Sequence, residues 1–207
     1  MANSPDISNI IYFSKRSLLI SVASIAFNPT AWNIVARNEY KNKTITRLFG
    51  GNARYGCYFL ALCIFSAGMV RDALYHEALQ EQPKQKILPE PFDTLVPAVL
   101  FIAGQIFVIT STWALGITGT FLGDYFGILM DHRVEGFPFN VLRDPMYVGS
   151  TLSFAATALW YERPAGLLIT LYVYIVYLIA LRFEGPFTDM IYSNRAAADK
   201  AASKKEL

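Results

Sequence analysis

Charged residues are scarce in this chain. Only 16% of its 207 residues are Asp, Glu, Lys or Arg, whereas an ordinary soluble domain carries about 25%. Hydrophobic residues make up 54% and aromatic residues 14%, and the mean hydropathy is positive, at +0.32. This composition excludes an ordinary soluble domain and predicts a single polytopic membrane domain over residues 1–207.

Residues that build metal centres and nucleophilic triads are also few. The chain has two histidines and two cysteines. Cys57 and Cys63 lie six residues apart in one apolar run, where they would face different sides of a helix and not pair. We therefore expect no metal site. No Gly-x-Gly-x-x-Gly follows a strand, so a soluble Rossmann-type pocket is not expected, and no basic and aromatic surface indicates nucleic acid.

Long apolar runs predict four transmembrane helices. Leu95–Ile117 corresponds to about 35 Å of helix, against about 30 Å for the hydrocarbon core of a bilayer. Only two residues separate the last two runs, so these should form a tight antiparallel hairpin. The sequence predicts an all-α integral membrane protein with its helical bundle in residues 53–192. The other three charge-free runs are Tyr55–Val70, Met146–Tyr161 and Pro164–Leu181.

Residues 1–52 allow three arrangements. Ser17–Phe27 is apolar, but Lys15 and Arg16 separate it from the short apolar run before it. Because so few apolar residues follow the charges, an in-plane or re-entrant helix is favoured over a fifth span. No small-residue cleavage pattern follows, so we do not expect a secretory signal.

Lys and Arg cluster in two connections, Asn28–Arg54 and the segment after Leu181. This bias places both on the cytosolic side, together with the connection Thr118–Pro145. Residues 193–207 are then a cytosolic tail. Its Lys204 and Lys205 match a dilysine retrieval signal, which favours the endoplasmic reticulum.

The first of three candidate site segments on that side is rich in glycine. Gly119, Gly123 and Gly127 are spaced by four and would line one helical face, which is also the pattern of simple close helix packing. Bare backbone beside the carboxylate of Asp124 and the ring of Tyr125 would suit a flat cationic cofactor.

The second segment runs from Arg143 to Gly149. Pro145 suits the first turn of a helix, and Arg143 beside that helix start is a ready partner for a carboxylate or phosphate. The alternative is an interfacial Arg and Tyr147 that only anchor the helix.

The third segment is Arg182–Pro186. Gly185 and Pro186 are expected to stop the helix, which leaves Glu184 in the last turn in need of a compensating partner. A surface pair with Arg182 is the plain alternative, and a hydrogen bond to a ligand is the functional one.

Four motifs across the chain resemble a known family. They are FNPTAWNIVARNEY at 27–40, LGITGTFLGDYFGIL at 115–129, FPFN-x3-DPMY-x-GST at 137–151 and RFEGPFT-x2-IY at 182–192. Together they closely resemble the short, second class of phosphatidylethanolamine N-methyltransferases, also called phospholipid methyltransferases. More distantly, the chain resembles the isoprenylcysteine carboxyl methyltransferases.

The resemblance implies an endoplasmic-reticulum enzyme that moves methyl groups from S-adenosylmethionine to phosphatidylethanolamine and its mono- and dimethyl forms, ending in phosphatidylcholine. It leaves the oligomeric state open. It also implies a cofactor site at a Gly-x-Gly pair and a Glu-Glu pair. Here the first is Ile102-Ala103-Gly104 and the second Glu184-Gly185, so each pair has one member replaced.

Methyl transfer to an amine needs a neutral nitrogen held in line with the methyl group, and so a group that takes the ammonium proton. Glu184 is the first candidate, as cofactor ligand or base, and Asp124 and Tyr147 are the further catalytic candidates. Solvated surface roles are expected for His132, and a structural one for His76. The predicted cofactor-binding residues are Gly104, Gly123, Tyr125, Arg143 and Glu184.

A phospholipid phosphate needs a cation at the head-group level. Arg143 and Arg133 are available, and Arg37 is a further candidate for which membrane anchoring is the commoner role. Two other functions stay open from the sequence, carboxyl methylation of a prenylcysteine and a non-catalytic helical scaffold.

Overall fold

The computed structural model describes residues 10–131 and 134–203, and over these ranges the chain is helical with no β-strand. A 3-10 turn, Gly123–Phe126, lies between the fourth and fifth helices. The prediction of an all-α membrane protein is confirmed. The helices are α1 (Arg16–Asn42), α2 (Thr44–Leu48), α3 (Ala53–Gln80), α4 (Phe92–Thr120), α5 (Pro145–Trp160) and α6 (Pro164–Ser203).

Four helices are long and apolar enough to cross a membrane, namely α1, α3, α4 with its 3-10 turn, and α6. Helix α5 begins at Pro145, as predicted, and its 16 residues pack between α4 and α6. Three residues separate α5 from α6, which confirms the predicted hairpin.

Helix α1 has the length and composition of a span, which was the less favoured of the sequence alternatives. Lys15 and Arg16 lie at its start instead of dividing it. The polar residues that appeared to end the apolar run face neighbouring helices: the Asn28 amide donates to the carbonyl of Ala67 at 3.2 Å. Helix α1 therefore packs inside the bundle, against α3 and α6.

Two glycines bring α4 and α5 into backbone contact. A Cβ atom at Gly104 would lie 2.6 Å from the carbonyl oxygen of Gly149, and a Cβ at Gly149 would lie 2.5 Å from the carbonyl oxygen of Gly104. Both distances are shorter than any real contact, so the crossing requires hydrogen at both positions. This is the close approach through small residues that is common between membrane helices.

At the end of the bundle opposite the candidate site residues, hydrogen bonds of side chains and backbone hold the segments together. The Gln82 side chain accepts from the Tyr12 amide at 2.8 Å and donates back to its carbonyl at 3.4 Å. Arg163, in the α5–α6 turn, donates to the Gln82 carbonyl. The segment before α1, the end of α3 and the final hairpin are thus fixed to one another.

The Gly104–Gly149 contact can be tested by adding one methyl group. Gly149→Ala should lower the free energy of unfolding by about 1–3 kcal/mol, because overpacking forces the two helices apart. Gly68→Ala in α3 is the matched control, since a Cβ there meets no atom within 4 Å. Thermal unfolding in detergent measures both, and equal stability of the two variants would contradict the contact.

Candidate active site

Glu184 of α6 is held by side chains from two other helices. The Asn33 amide of α1 donates to one carboxylate oxygen at 2.8 Å, and the Tyr147 hydroxyl of α5 donates to the other at 2.6 Å. A carboxylate in a largely apolar bundle is tolerated when its oxygens receive such hydrogen bonds. Glu184 is therefore the point where three helices meet.

Helix α6 does not stop at this glutamate. It continues through Gly185 and Pro186 to Ser203, so the prediction of a helix end here is wrong. Pro186 lacks an N–H and breaks the local backbone bonding, but a side chain of α1 meets the chain at this point: Arg37 donates to the carbonyl of Phe183 at 2.7 Å. The carbonyl that loses its helical partner at Pro186 is that of Arg182, four residues earlier. The Arg37 bond therefore holds α1 against α6 but does not replace the missing helical bond.

The position of Glu184 along α6 sets its depth in the membrane. Twenty residues separate it from Pro164, which corresponds to about 30 Å of helix, roughly one hydrocarbon thickness. Glu184 therefore lies near one boundary of the apolar layer. The rest of α6 extends beyond that boundary, beside the 3-10 turn.

The 3-10 turn brings Asp124 and Tyr125 to the same helix. The Thr188 hydroxyl of α6 donates to a carboxylate oxygen of Asp124 at 2.9 Å. Tyr125 is fully buried, and its ring stacks on Phe187 with centroids 5.1 Å apart and planes at 6°. Together with the Tyr147–Glu184 bond, these contacts bring residues of the 3-10 turn, α5 and α6 to one end of the bundle.

Gly119 lies in the last turn of α4, but Gly123 and Gly127 lie in and just after the 3-10 turn, so the three do not share a helical face and that prediction is wrong. The chain leaves α4 after Thr120, and Leu122 and Gly127 adopt left-handed conformations on either side of the 3-10 turn. At Gly123 a Cβ would lie 2.6 Å from the carbonyl oxygen of Thr118. Only glycine lets the chain fold back this tightly.

Two predicted cofactor residues lie apart from the Glu184 cluster. Gly104 is buried in the α4–α5 crossing, where its contacts are Gly149, Leu152 and Ser153. The Arg143 side chain is 83% exposed and lies 4.0 Å from Asp144. Burial raises the pKa of the Asp144 carboxyl above its ordinary value, and the charge of Arg143 opposes that shift.

The two positions that depart from the family pairs do not obstruct the cluster. Ile102 is 59% exposed on the outer surface of α4. At Gly185 a Cβ would meet no atom within 4 Å. Neither residue crowds Glu184.

Asn33 is the site residue that sequence reasoning missed. It lies within the motif at 27–40, one turn before Arg37. Two polar side chains spaced by four lie on the same face of a helix, and that spacing was the available signal. His132 and Arg133 lie outside the described residues, as do Lys204 and Lys205.

Several buried polar atoms at this end of the bundle have no hydrogen-bond partner. Native proteins leave few such atoms, so a group of them indicates a place where a polar ligand binds. Thr188 lies close to Tyr125, but its hydroxyl proton is donated to Asp124. The unpartnered atoms here are Asn33 Oδ1, Arg37 Nε, Thr120 Oγ1 and the Tyr125 hydroxyl. They offer both donors and acceptors, which suits a ligand that carries polar groups of both kinds.

The helical bundle and this acidic, aromatic cluster define an integral membrane protein with a polar site at one end. Comparison with known proteins gives the family. The family model described as phospholipid methyltransferase matches residues 92–195, and the chain belongs to that family.

Curated relatives match over most of their length. A Neurospora crassa phosphatidyl-N-methylethanolamine N-methyltransferase is 57% identical, covering 98% of this chain and 96% of its own. The Saccharomyces cerevisiae protein of the same name is 54% identical over 87% of both chains. A human phosphatidylethanolamine N-methyltransferase is 40% identical, covering 90% of this chain and 94% of its own. No solved structure matches.

Membership of this family makes the chain a phospholipid N-methyltransferase, and the alternative of a non-catalytic scaffold is set aside. The matched residues 92–195 contain α4, α5 and most of α6. They do not include α1, which supplies Asn33 and Arg37. The described site is therefore larger than the segment that identifies the family.

The Asp124–Thr188 bond predicts a stability difference. Thr188→Val keeps the shape but removes a hydrogen bond to a carboxylate, and should cost about 1.5–3 kcal/mol of unfolding free energy. Thr188→Ser keeps the hydroxyl and should lose much less. Differential scanning fluorimetry in detergent measures both, and a Val variant as stable as the wild type would show that the 3-10 turn does not depend on this bond.

Proposed function

We propose that this chain transfers methyl groups from S-adenosylmethionine to the amine of phosphatidylethanolamine and of its mono- and dimethyl forms, so that phosphatidylcholine is the final product. The observation that carries the proposal is the Glu184 carboxylate, fixed by Asn33 and Tyr147 beside unpartnered polar atoms. The names of the relatives support the substrate class.

S-adenosylmethionine, when bound, supplies an electrophilic methyl group on a positively charged sulfur. The residues suited to hold it are Glu184, Asn33 and Tyr125. Glu184 offers negative charge, and its two oxygens each keep a lone pair beyond those used by Asn33 and Tyr147. Asn33 Oδ1 and the Tyr125 hydroxyl are buried and have no hydrogen-bond partner, so both can bind the ligand.

The reacting amine must be neutral, so the chain has to accept a proton from the ammonium form. Glu184 is the proposed acceptor, at either carboxylate oxygen. The Tyr147 hydroxyl, which donates to Glu184 at 2.6 Å, keeps the carboxylate oriented. Asp124, in the 3-10 turn, accepts a hydrogen bond from Thr188 of α6 and is the second candidate to accept the proton.

Aromatic rings around the cluster suit a nitrogen that becomes permanently charged. Tyr125 stacks on Phe187, and Tyr147 packs edge-on against Tyr177 with centroids 4.8 Å apart. Such faces attract a methylated ammonium and exclude water from it. Because rings do not discriminate by hydrogen bonds, they tolerate one, two or three methyl groups.

We also propose that the Glu184 end of the bundle faces the cytosol, in the endoplasmic-reticulum membrane. The α1–α3 connection at this end contains Lys43 and Arg47, the helix ends beside it contain Lys41 and Arg54, and the end of α6 lies on the same side. An excess of Lys and Arg in short connections marks the cytosolic side.

Replacing Glu184 tests its role. Glu184→Gln keeps the volume but removes the charge and the basic oxygen, and should lower kcat by about 100-fold or more, as expected for loss of a general base. Purified protein is incubated with labelled S-adenosylmethionine and monomethylated lipid. Glu77→Gln, an exposed glutamate of α3 near the other end, is the control. Unchanged kinetics in Glu184→Gln would remove this residue from the site.

The same assay tests the substrate class. The wild-type protein is offered phosphatidylethanolamine, its mono- and dimethyl forms, and a prenylcysteine peptide in parallel. Label in choline lipid supports the proposal, and the relative rates show which methylation step is preferred. Label on the peptide alone would contradict it.

A further inference from the structure

Arg37 of α1 is a cation enclosed by aromatic rings. Its guanidinium carbon lies 4.7 Å from the centre of the Phe187 ring and 5.9 Å from that of Phe183. One of its nitrogens donates to the Phe183 carbonyl at 2.7 Å. These contacts fix the planar group against α6, one helical turn from the Asn33–Glu184 bond.

The guanidinium has no acidic partner in the part of the chain that the structure describes. No carboxylate oxygen lies within 4.0 Å of it, and its Nε is buried without a hydrogen-bond partner. The nearby carboxylate, Glu184, is already engaged by Asn33 and Tyr147. A guanidinium carries five donors, and the described contacts use one.

A second cation lies in the same region, and no acid among the described residues lies within ion-pair distance of it. Lys43, just after α1, donates to the carbonyl of Tyr125 at 3.4 Å, and its nitrogen lies 5.7 Å from the centre of the Tyr40 ring. Burying part of a charge without a counter-charge is costly. Two such cations beside one polar cluster indicate that the counter-charge arrives with a ligand.

We propose that Arg37 binds an oxyacid anion carried by a ligand, either the carboxylate of the methyl donor or the phosphate of the phospholipid. The inference rests on the proposed function, because that reaction brings both groups to this end of the bundle. A planar guanidinium with free donors matches the two oxygens of a carboxylate or phosphate. Helix α1 then provides a binding group that lies outside the segment matched by the family model.

The competing role for Arg37 is a structural tie between α1 and α6. The bond to the Phe183 carbonyl would explain such a tie, but it needs only one donor. A structural tie does not depend on which anion the ligand carries. Changing the ligand as well as the residue therefore separates the two roles.

The first arm measures donor binding by isothermal titration calorimetry in lipid nanodiscs. The ligands are S-adenosylmethionine and its decarboxylated analogue, and the proteins are wild type, Arg37→Gln and Arg37→Lys. If Arg37 holds the carboxylate, the wild type binds the parent compound at least tenfold more tightly than the analogue. In Arg37→Gln that difference disappears, and Arg37→Lys retains part of it.

The second arm measures lipid binding by native mass spectrometry. The probes are phosphatidyl-N-methylethanolamine and an uncharged diacylglycerol with the same chains. If Arg37 holds the phosphate, Arg37→Gln loses at least tenfold in retention of the phospholipid but not of the diacylglycerol. Donor binding is then unchanged.

Arg47→Gln is the matched control, since it removes one exposed positive charge from the same end of the bundle. Loss of preference for the anionic ligand in either arm, in Arg37→Gln and not in Arg47→Gln, supports the inference. The inference is overturned if Arg37→Gln, eluting as a folded particle, discriminates like the wild type in both arms. The same holds if the wild type itself discriminates in neither. A wild type that methylates no lipid amine would instead refute the proposed function.

Discussion

A carboxylate inside an apolar bundle is stable only where other groups donate hydrogen bonds to it, and Glu184 obtains them from two different helices. Asn33 reaches it from α1 and Tyr147 from α5. Because each donor is fixed by its own helix, the position of the carboxylate depends on how α1, α5 and α6 pack. The 3-10 turn adds Asp124 and Tyr125 to the same end of α6. The site therefore forms only in the assembled bundle.

The packing that positions these groups relies on small residues and on tight turns. Gly104 and Gly149 allow α4 and α5 to meet backbone to backbone, which fixes the position along α5 of Tyr147, two residues before Gly149. Gly123 lets the chain fold back against Thr118, which directs Asp124 toward α6. Two of the glycines predicted as cofactor contacts thus act on the site through the backbone. Side chains on neighbouring residues make the polar contacts.

Much of this architecture could be read from the sequence. Pro145 marked a helix start correctly, and the motifs contain the residues that meet at the site. The wrong predictions for α1 and α6 have one physical origin: single-sequence reasoning treats a polar or helix-breaking residue as exposed. Asn28 and Asn33 face other helices, so α1 continues past them. Helix α6 likewise continues through Pro186, where Arg37 of α1 contacts Phe183 and Phe187. Contacts between distant segments decided both cases, and sequence spacing alone does not contain them.

The account depends on α1 and α6 forming one binding site at one end of the bundle. The most direct measurement is ultraviolet cross-linking of labelled S-adenosylmethionine to the wild-type protein, followed by peptide mapping. The account predicts label in the peptide spanning residues 28–40 of α1 and in the peptide spanning 183–192 of α6, both suppressed by excess S-adenosylhomocysteine. Label confined to residues 72–91, at the opposite end of the bundle, would contradict it.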